Sequence, residues 1–240
     1  MSTVAGTKRR GLAGRIPSPG FEAFGSIFGF IYTFLAGNAL LALANAPLVL
    51  SLSLVADPAS AWPFFLALSL TIAPSLAGIF AAFKALNDDG GAVKPVAAFL
   101  RGYKRSFGKA ALLGLGAVAF LMFLGVDLAV LQSNVQTIPG AALLVPLIVV
   151  AAAVTVTLSV TAIAGVVLLP EAKLKSILKA SLYLAVQRWY LSLAMLVLLG
   201  IIVSAAVMQP VLGIALAPAP LLFVIWSNAS YAFHAALRPA

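Results

Sequence analysis

A stretch of aromatic and basic side chains near the middle of the sequence is the best candidate for a binding surface. Between residues 93 and 109, apolar residues recur at the spacing of one helix face, and basic residues surround them. Pro95 suits the first turn of a helix, where its missing N–H is no loss. The apolar residues are Val96, Phe99, Leu100, Tyr103 and Phe107, and the basic ones are Lys94, Arg101, Lys104, Arg105 and Lys109. The pattern predicts a short helix at about 95–107 that lies in the membrane–water interface, with its lysines among the lipid headgroups.

Two interpretations of this segment remain open from the sequence. Basic residues on cytoplasmic loops fix the topology and contact anionic lipid, each contributing about 1 kcal/mol near the surface. Alternatively the segment docks a protein, because aromatic residues and arginine carry much of the energy of protein interfaces. For either partner or lipid, the candidate docking residues are Phe99, Arg101, Tyr103, Lys104, Arg105, Phe107 and Lys109.

Composition makes the chain an integral membrane protein. Of its residues 63% are hydrophobic and only 9% are charged, and the mean hydropathy is +1.13. A soluble domain is about one quarter charged, so this chain could not cover a water-facing surface. Between residues 110 and 170 the only formal charge is Asp127, and between 189 and 237 there is none unless His234 protonates. Each run is long enough to cross a hydrocarbon core twice, at about 20 residues for each crossing.

The apolar runs predict an all-α polytopic membrane protein with six transmembrane helices. A basic tail at residues 1–20 precedes a single transmembrane domain at 21–240. A second amphipathic helix is predicted at about 171–187, and Pro47 is expected to kink the outer part of the first span. The predicted spans are about 24–55, 62–86, 110–131, 141–169, 189–208 and 214–236.

The basic residues predict how the chain is oriented. With six spans, all 15 lysines and arginines fall on one side of the membrane, which the positive-inside rule makes the cytoplasm. A count of five or seven spans would destroy this asymmetry. Both termini are therefore expected in the cytoplasm, and the protein is expected in a cytoplasmic (plasma) membrane.

Few polar side chains lie within the predicted spans. Asn38, Asn45, Asn228 and His234 could form an intramembrane polar cluster that lines a small cavity, together with hydroxyls at residues 71, 75, 155, 157, 159 and 161. The favoured interpretation is that these groups hydrogen-bond between helices or back to carbonyls of their own helix. No acidic or basic residue joins them, whereas proton-coupled transporters and ion pores usually keep one in the membrane.

The sequence predicts no catalytic centre. There is no cysteine, and the single histidine has no carboxylates near it in sequence with which to make a catalytic or metal site. Phosphate-binding loops and nucleophile–base motifs are absent as well. We therefore expect no enzymatic activity, no cofactor, no metal and no nucleic-acid partner, and we expect membrane lipids and other membrane proteins as partners.

Three motifs resemble the YesL-like family of bacterial membrane proteins. They are Gly37-Asn38 with Ala46-Pro47, the run from Ala73 to Phe80, and Phe99-x-Arg-Gly-Tyr-x-Arg-Ser-Phe107. The resemblance extends over about residues 21–240. It implies six helices, unassigned biochemistry and frequent encoding beside carbohydrate ABC importers.

The resemblance implies a non-enzymatic accessory or regulatory subunit of a membrane complex. Its partners would be importer permeases or further copies of the chain. The alternative is a small stand-alone transporter or flippase-like protein, which would need a polar cavity with alternating access. The scarcity of polar residues in the spans speaks against this alternative.

Overall fold

A computed structural model describes residues 19–88, 94–133 and 141–237, with side chains from residue 27 onward except at 141, 142, 210 and 237. These residues form helices and contain no strand. Most of the predicted tail at 1–20, and most of the predicted loop between the third and fourth spans, lie outside the described residues. The helices are α1 (Pro19–Ala44), α2 (Ala46–Leu54), α3 (Trp62–Leu68), a 3₁₀ turn (Ser69–Thr71), α4 (Ile72–Asp88), α5 (Pro95–Ser133), α6 (Ala141–Leu168), α7 (Leu174–Gln187), α8 (Trp189–Met208), α9 (Pro210–Leu216) and α10 (Pro218–Leu237).

Helix α4 lies at the centre of the packed part of the molecule. Every residue from Ala73 to Phe80 is buried, so the first two turns of this helix are covered on all sides. A helix that is apolar all round is expected to be enclosed by others. Here the enclosing helices are α1, α5, α6 and α10.

An aromatic cluster joins α1, α4 and α10. The ring of Phe83 lies 5.3 Å from that of Phe223 and 6.2 Å from those of Phe34 and Trp226, measured between centroids. Most of these contacts are edge-to-face or tilted, which is the arrangement that the charge distribution of aromatic rings favours. The cluster packs the last helix of the chain against the central one.

Small residues let α5 approach α4 closely. A Cβ atom added at Gly114 would lie 2.6 Å from the Cβ of Ala73, and one added at Gly102 would overlap Ala81. Close backbone approach of this kind is how helices associate in lipid, where no hydrophobic force drives them together.

Within the described residues, five helical segments are long and apolar enough to cross a membrane, consistent with a membrane protein. They are Ile27–Ala44, Trp62–Asp88, Pro95–Ser133, Leu143–Leu168 and Trp189–Met208. The helices predicted for the second, fourth and fifth spans are confirmed within two residues at each end. The second span contains the 3₁₀ turn just before Pro74.

The first span is interrupted, as the proline suggested. Helix α1 ends at Ala44 and α2 begins at Ala46, with Pro47 in the first turn of α2. The break lies at Asn45, whose backbone leaves the helical region.

The predicted sixth span is also interrupted. Helix α9 ends at Leu216 and α10 begins at Pro218. The 20 residues of α10 suffice in length for a crossing, but this helix is not among the five apolar segments. It carries Asn228 and His234, which lower its mean hydropathy.

Candidate functional site

The basic segment at 95–107 is the first third of a long helix. Helix α5 runs without a break for 39 residues from Pro95 to Ser133. The predicted basic helix and the predicted third span are therefore one helix, and the prediction that they are separate helices is wrong. At a rise of 1.5 Å per residue, α5 is about 58 Å long. A hydrocarbon core is only about 30 Å thick, so close to half of α5 exceeds what a perpendicular crossing needs.

One face of the basic segment packs on α4 instead of facing acyl chains. Phe99 is only 2% exposed, and its ring fills the space that the missing side chain of Gly78 leaves. Ala98 and Ser106 are buried on the same side. Phe99, predicted as a docking residue for a partner or for lipid, is therefore covered by α4, because its ring belongs to the core.

Two of the predicted docking cations are bound within the chain. The Nζ of Lys109 donates to the carbonyl oxygens of Pro170 at 2.6 Å and Ala172 at 3.0 Å. Arg105 makes an ion pair with Glu171 at 2.9 Å, in which both side chains are largely exposed. Lys109 thus fixes α5 to the loop between α6 and α7, whereas the exposed ion pair contributes about 1 kcal/mol at most.

The remaining candidates form an exposed apolar and basic face, which we call the α5 face: Val96, Leu100, Arg101, Lys104 and Phe107. Val96, Leu100 and Phe107 are 41%, 56% and 47% exposed, and both cations are exposed as well. Arg101 donates from Nε to the Ala97 carbonyl of its own helix at 3.2 Å. Tyr103 is half-buried beside this face, with its ring 6.1 Å from Phe99 and 5.5 Å from Phe107.

The predicted intramembrane polar cluster is divided among separate places. Asn45, at the α1–α2 break, donates to the Leu41 carbonyl and to the Ser75 hydroxyl, both at 2.8 Å, and accepts from the Thr71 hydroxyl at 2.7 Å. Thr71 belongs to the 3₁₀ turn before α4. Two helix interruptions are therefore joined through one buried amide.

Asn38 bridges a different interruption. Its Nδ2 donates to the Ala215 carbonyl at 2.8 Å, and its Oδ1 accepts from the Ala219 N–H at 2.7 Å. These are the backbone groups on the two sides of the α9–α10 break. The amide of Asn38 thus satisfies groups that the interrupted helix leaves free, as polar side chains do at breaks in membrane helices.

Asn228 and His234 lie apart from these amides on α10. Asn228 lines a cavity of about 30 Å³ with Thr161 and Arg188. The Nδ1 of His234 lies 2.7 Å from the Ser230 carbonyl on its own helix. The structure does not bring the four predicted polar residues together.

Hydroxyls on α6 return to their own backbone, as one interpretation of the sequence predicted. Thr155 donates to the Ala151 carbonyl, and Ser159 donates to the Thr155 carbonyl, both at 2.7 Å. Thr157 donates to the Ala153 carbonyl at 2.9 Å. The hydrogen bonds of these hydroxyls, of Asn38 and of Asn45 confirm that the described polar groups mainly form hydrogen bonds within and between helices.

Arg188 was not predicted as a site residue. It separates α7 from α8, and its guanidinium lies 5.0 Å from the centroid of the Tyr231 ring on α10. One sign of its position is visible in the sequence, since Arg188 is the last charge before a long uncharged run. The pairing with Tyr231 depends on tertiary packing and has no local signal.

No cluster for metal ligation is formed within the described chain: nowhere do three or more His, Cys, Asp or Glu side chains come together. What the described residues offer is an exposed apolar and basic face on α5 and a cation beside α10.

Comparison with known proteins gives one finding. Neither the search of curated proteins nor the search of solved structures returned a match. Residues 23–128, which extend from α1 into α5, match the model of a family described as "Protein of unknown function, DUF624", the family that includes the YesL-like proteins. Over these residues the chain is similar to that family.

Proposed function

We propose that this chain is a non-enzymatic accessory or regulatory subunit of a membrane complex, and that it holds its partner through the α5 face. The observation that carries the proposal is the exposure of Val96, Leu100 and Phe107 beside Arg101 and Lys104. Interfaces are enriched in aromatic residues and arginine, and such an exposed mixture on a helix suits an acidic and apolar partner surface.

The length of α5 favours a protein partner over lipid for this face. If the crossing begins near Ala110, after the last basic residue, a segment of about 15 residues extends beyond the hydrocarbon. At 1.5 Å per residue that segment is about 22 Å long. Most of it would lie beyond the acyl chains, where exposed Val96 and Leu100 gain little unless another protein covers them.

An association with a bacterial carbohydrate ABC importer rests on the resemblance to YesL-like proteins. The partners would then be importer permeases, or further copies of the chain. The absence of enzymatic activity rests on the sequence, which contains no cysteine and a single histidine.

Co-purification tests the α5 face directly. The variant Arg101→Gln/Phe107→Ala should insert normally and lose its partner when purified in mild detergent and analysed by mass spectrometry. The matched control is Lys175→Gln/Leu182→Ala on α7, which removes one exposed cation and one exposed apolar side chain elsewhere. Retention of the same partner by both variants would refute the proposed role of the α5 face.

We further propose six spans with both termini in the cytoplasm of a bacterial cell, α10 being the sixth. The one-sided distribution of lysine and arginine supports this topology. Because the chain has no cysteine, single-cysteine variants report cleanly. Cysteine at Asp57 should react with an impermeant maleimide added outside intact cells, and cysteine at Ser176 should not. Labelling at 176 would place this residue outside the cell and refute the proposed orientation.

A stand-alone transporter or flippase-like protein is the second candidate. It is favoured by the helix interruptions at Asn45 and Ala217, since discontinuous helices commonly form substrate sites in transporters. Purified chain in liposomes should then move a solute or lipid, and Asn38→Ala should slow that movement. An accessory subunit would show no transport by itself.

A further inference from the structure

Four exposed aromatic side chains mark the place where α7 meets α8. Trp189 and Tyr190 follow Arg188 in the chain, Tyr183 lines a cavity with it, and Tyr231 lies beside its guanidinium. These four aromatics are 55–67% exposed. Exposed tryptophan and tyrosine concentrate at the level of the lipid headgroups. Because α8 is one of the segments able to cross a membrane, its first residues place Arg188 at that level.

The charge of Arg188 has no carboxylate partner in the described chain, where the single ion pair joins Arg105 to Glu171. Its contact with the Tyr231 ring is a cation–π interaction, which uses none of the five guanidinium N–H donors. A cation held in this way is positioned by the protein and remains free to bind an anion.

Space for an anion lies directly beside Arg188. A cavity of about 190 Å³ is lined by Tyr183, Gln187 and Arg188 on one side and by Ala232, Ala235 and Ala236 on the other. The short side chains of α10 leave this space open, and it is larger than one water molecule needs. Tyr183 and Gln187 bring further polar groups to it.

We infer that Arg188, Gln187 and Tyr183 bind the phosphate group of an anionic phospholipid. Phosphate recognition by arginine is strong because the guanidinium fork matches two phosphate oxygens. The source of the phosphate is lipid, because the exposed aromatic residues around Arg188 and the start of α8 place it at the headgroup level. An anionic headgroup is favoured over a zwitterionic one, because the phosphate of a zwitterionic lipid has its own cationic group, whereas Arg188 has no carboxylate partner in the described chain.

Quenching of tryptophan fluorescence tests the site in the unaltered full chain. Phosphatidylglycerol with brominated acyl chains should quench the purified protein at lower mole fraction than brominated phosphatidylcholine. The difference should vanish in Trp189→Phe, which leaves Trp62 and Trp226 in place. Equal quenching by both lipids, or a difference that persists in Trp189→Phe, would overturn the assignment.

Charge variants supply the second arm. Arg188→Gln should weaken the preference for phosphatidylglycerol about tenfold, the change that 1.4 kcal/mol produces. The preference of Arg188→Lys should lie between that of the unaltered chain and that of Arg188→Gln. The matched control Lys179→Gln removes one exposed charge from α7, at a residue that does not line the cavity, and should change the preference less than twofold. Equal losses in the two Gln variants would refute a specific site.

Inorganic phosphate distinguishes the source of the phosphate group. Lacking an acyl chain, it should not displace brominated phosphatidylglycerol at concentrations equal to that of the lipid. Displacement under those conditions would show a site for a free anion and would overturn the lipid assignment.

Discussion

Gly102 is where a single added methyl group would disturb the packing of α5 on α4. A Cβ atom built there overlaps the Cβ of Ala81 and lies 3.4 Å from the carbonyl oxygen of Ala77. Neither neighbour is the flexible end of a side chain, so relief requires the two helices to move apart. Gly108 lies on the same helix and would meet nothing within 4 Å. The two glycines therefore form a matched pair.

The expected effects of alanine at these positions have opposite components. Replacing glycine by alanine inside a helix gains about 0.5–1 kcal/mol at either position, because the backbone loses less freedom on folding. At Gly102 overpacking costs about 1–3 kcal/mol in addition. We expect Gly108→Ala to be slightly more stable than the unaltered chain, and Gly102→Ala to be about 1–3 kcal/mol less stable than Gly108→Ala.

Equilibrium unfolding in mixed detergent micelles, with an increasing mole fraction of SDS, measures this difference. Because the gain in helix propensity is common to both variants, their comparison isolates the packing of α4 on α5. If Gly102→Ala is as stable as Gly108→Ala, the two helices do not approach as described, and the burial of Phe99 against Gly78 is also in doubt.

Three further substitutions test individual contacts by the same unfolding assay. Asn38→Ala removes both hydrogen bonds across the α9–α10 break and should lower the free energy of unfolding by about 2 kcal/mol or more. Asn87→Ala, at an exposed position, should lower it by less than about 0.5 kcal/mol. Equal effects would refute the bridging role of Asn38. Lys109→Met should cost about 1–3 kcal/mol because two charged hydrogen bonds are lost, while Lys104→Met on the α5 face should be nearly neutral. Ser181→Ala should stabilise by about 1 kcal/mol, since the Ser181 hydroxyl is buried without a hydrogen-bond partner among the described residues; a loss of stability would reveal a partner.

Local patterns predicted most helices but not the continuity of α5. Helix α8 begins at Trp189 and ends at Met208 as predicted, because an arginine and a Gln-Pro pair flank an uncharged, mostly apolar run. Between the basic segment and the apolar run of α5, the charge pattern changes sharply at Lys109, and this change was interpreted as a helix boundary. No proline interrupts the backbone there. Charge determines the depth of a helix in the membrane, whereas backbone chemistry determines where it ends.

For the polar residues too, one feature was predictable from the sequence and another was not. Residue type was enough to predict that Asn38 and Asn45 hydrogen-bond within the helical bundle. Their partners could not be predicted, because the Asn45–Ser75 contact joins residues 30 apart and Asn38 reaches backbone 177 and 181 residues away. Such pairs depend on how the helices are rotated and where they are interrupted, and neither is encoded locally.

The motif Phe99-x-Arg-Gly-Tyr-x-Arg-Ser-Phe107 is explained by packing at most of its positions. Phe99 and Ser106 are buried, Gly102 permits close approach to α4, and Arg105 pairs with Glu171.

Arg101 and Phe107 differ from these residues. Arg101 is exposed and bonds only to its own helix within the described residues, and Phe107 remains nearly half exposed. Packing does not explain why residue 101 is an arginine or why residue 107 is aromatic. The binding role proposed for the α5 face explains both. The two residues are about 1.7 turns apart and lie on either side of exposed Lys104, so one partner that covers this face can contact both.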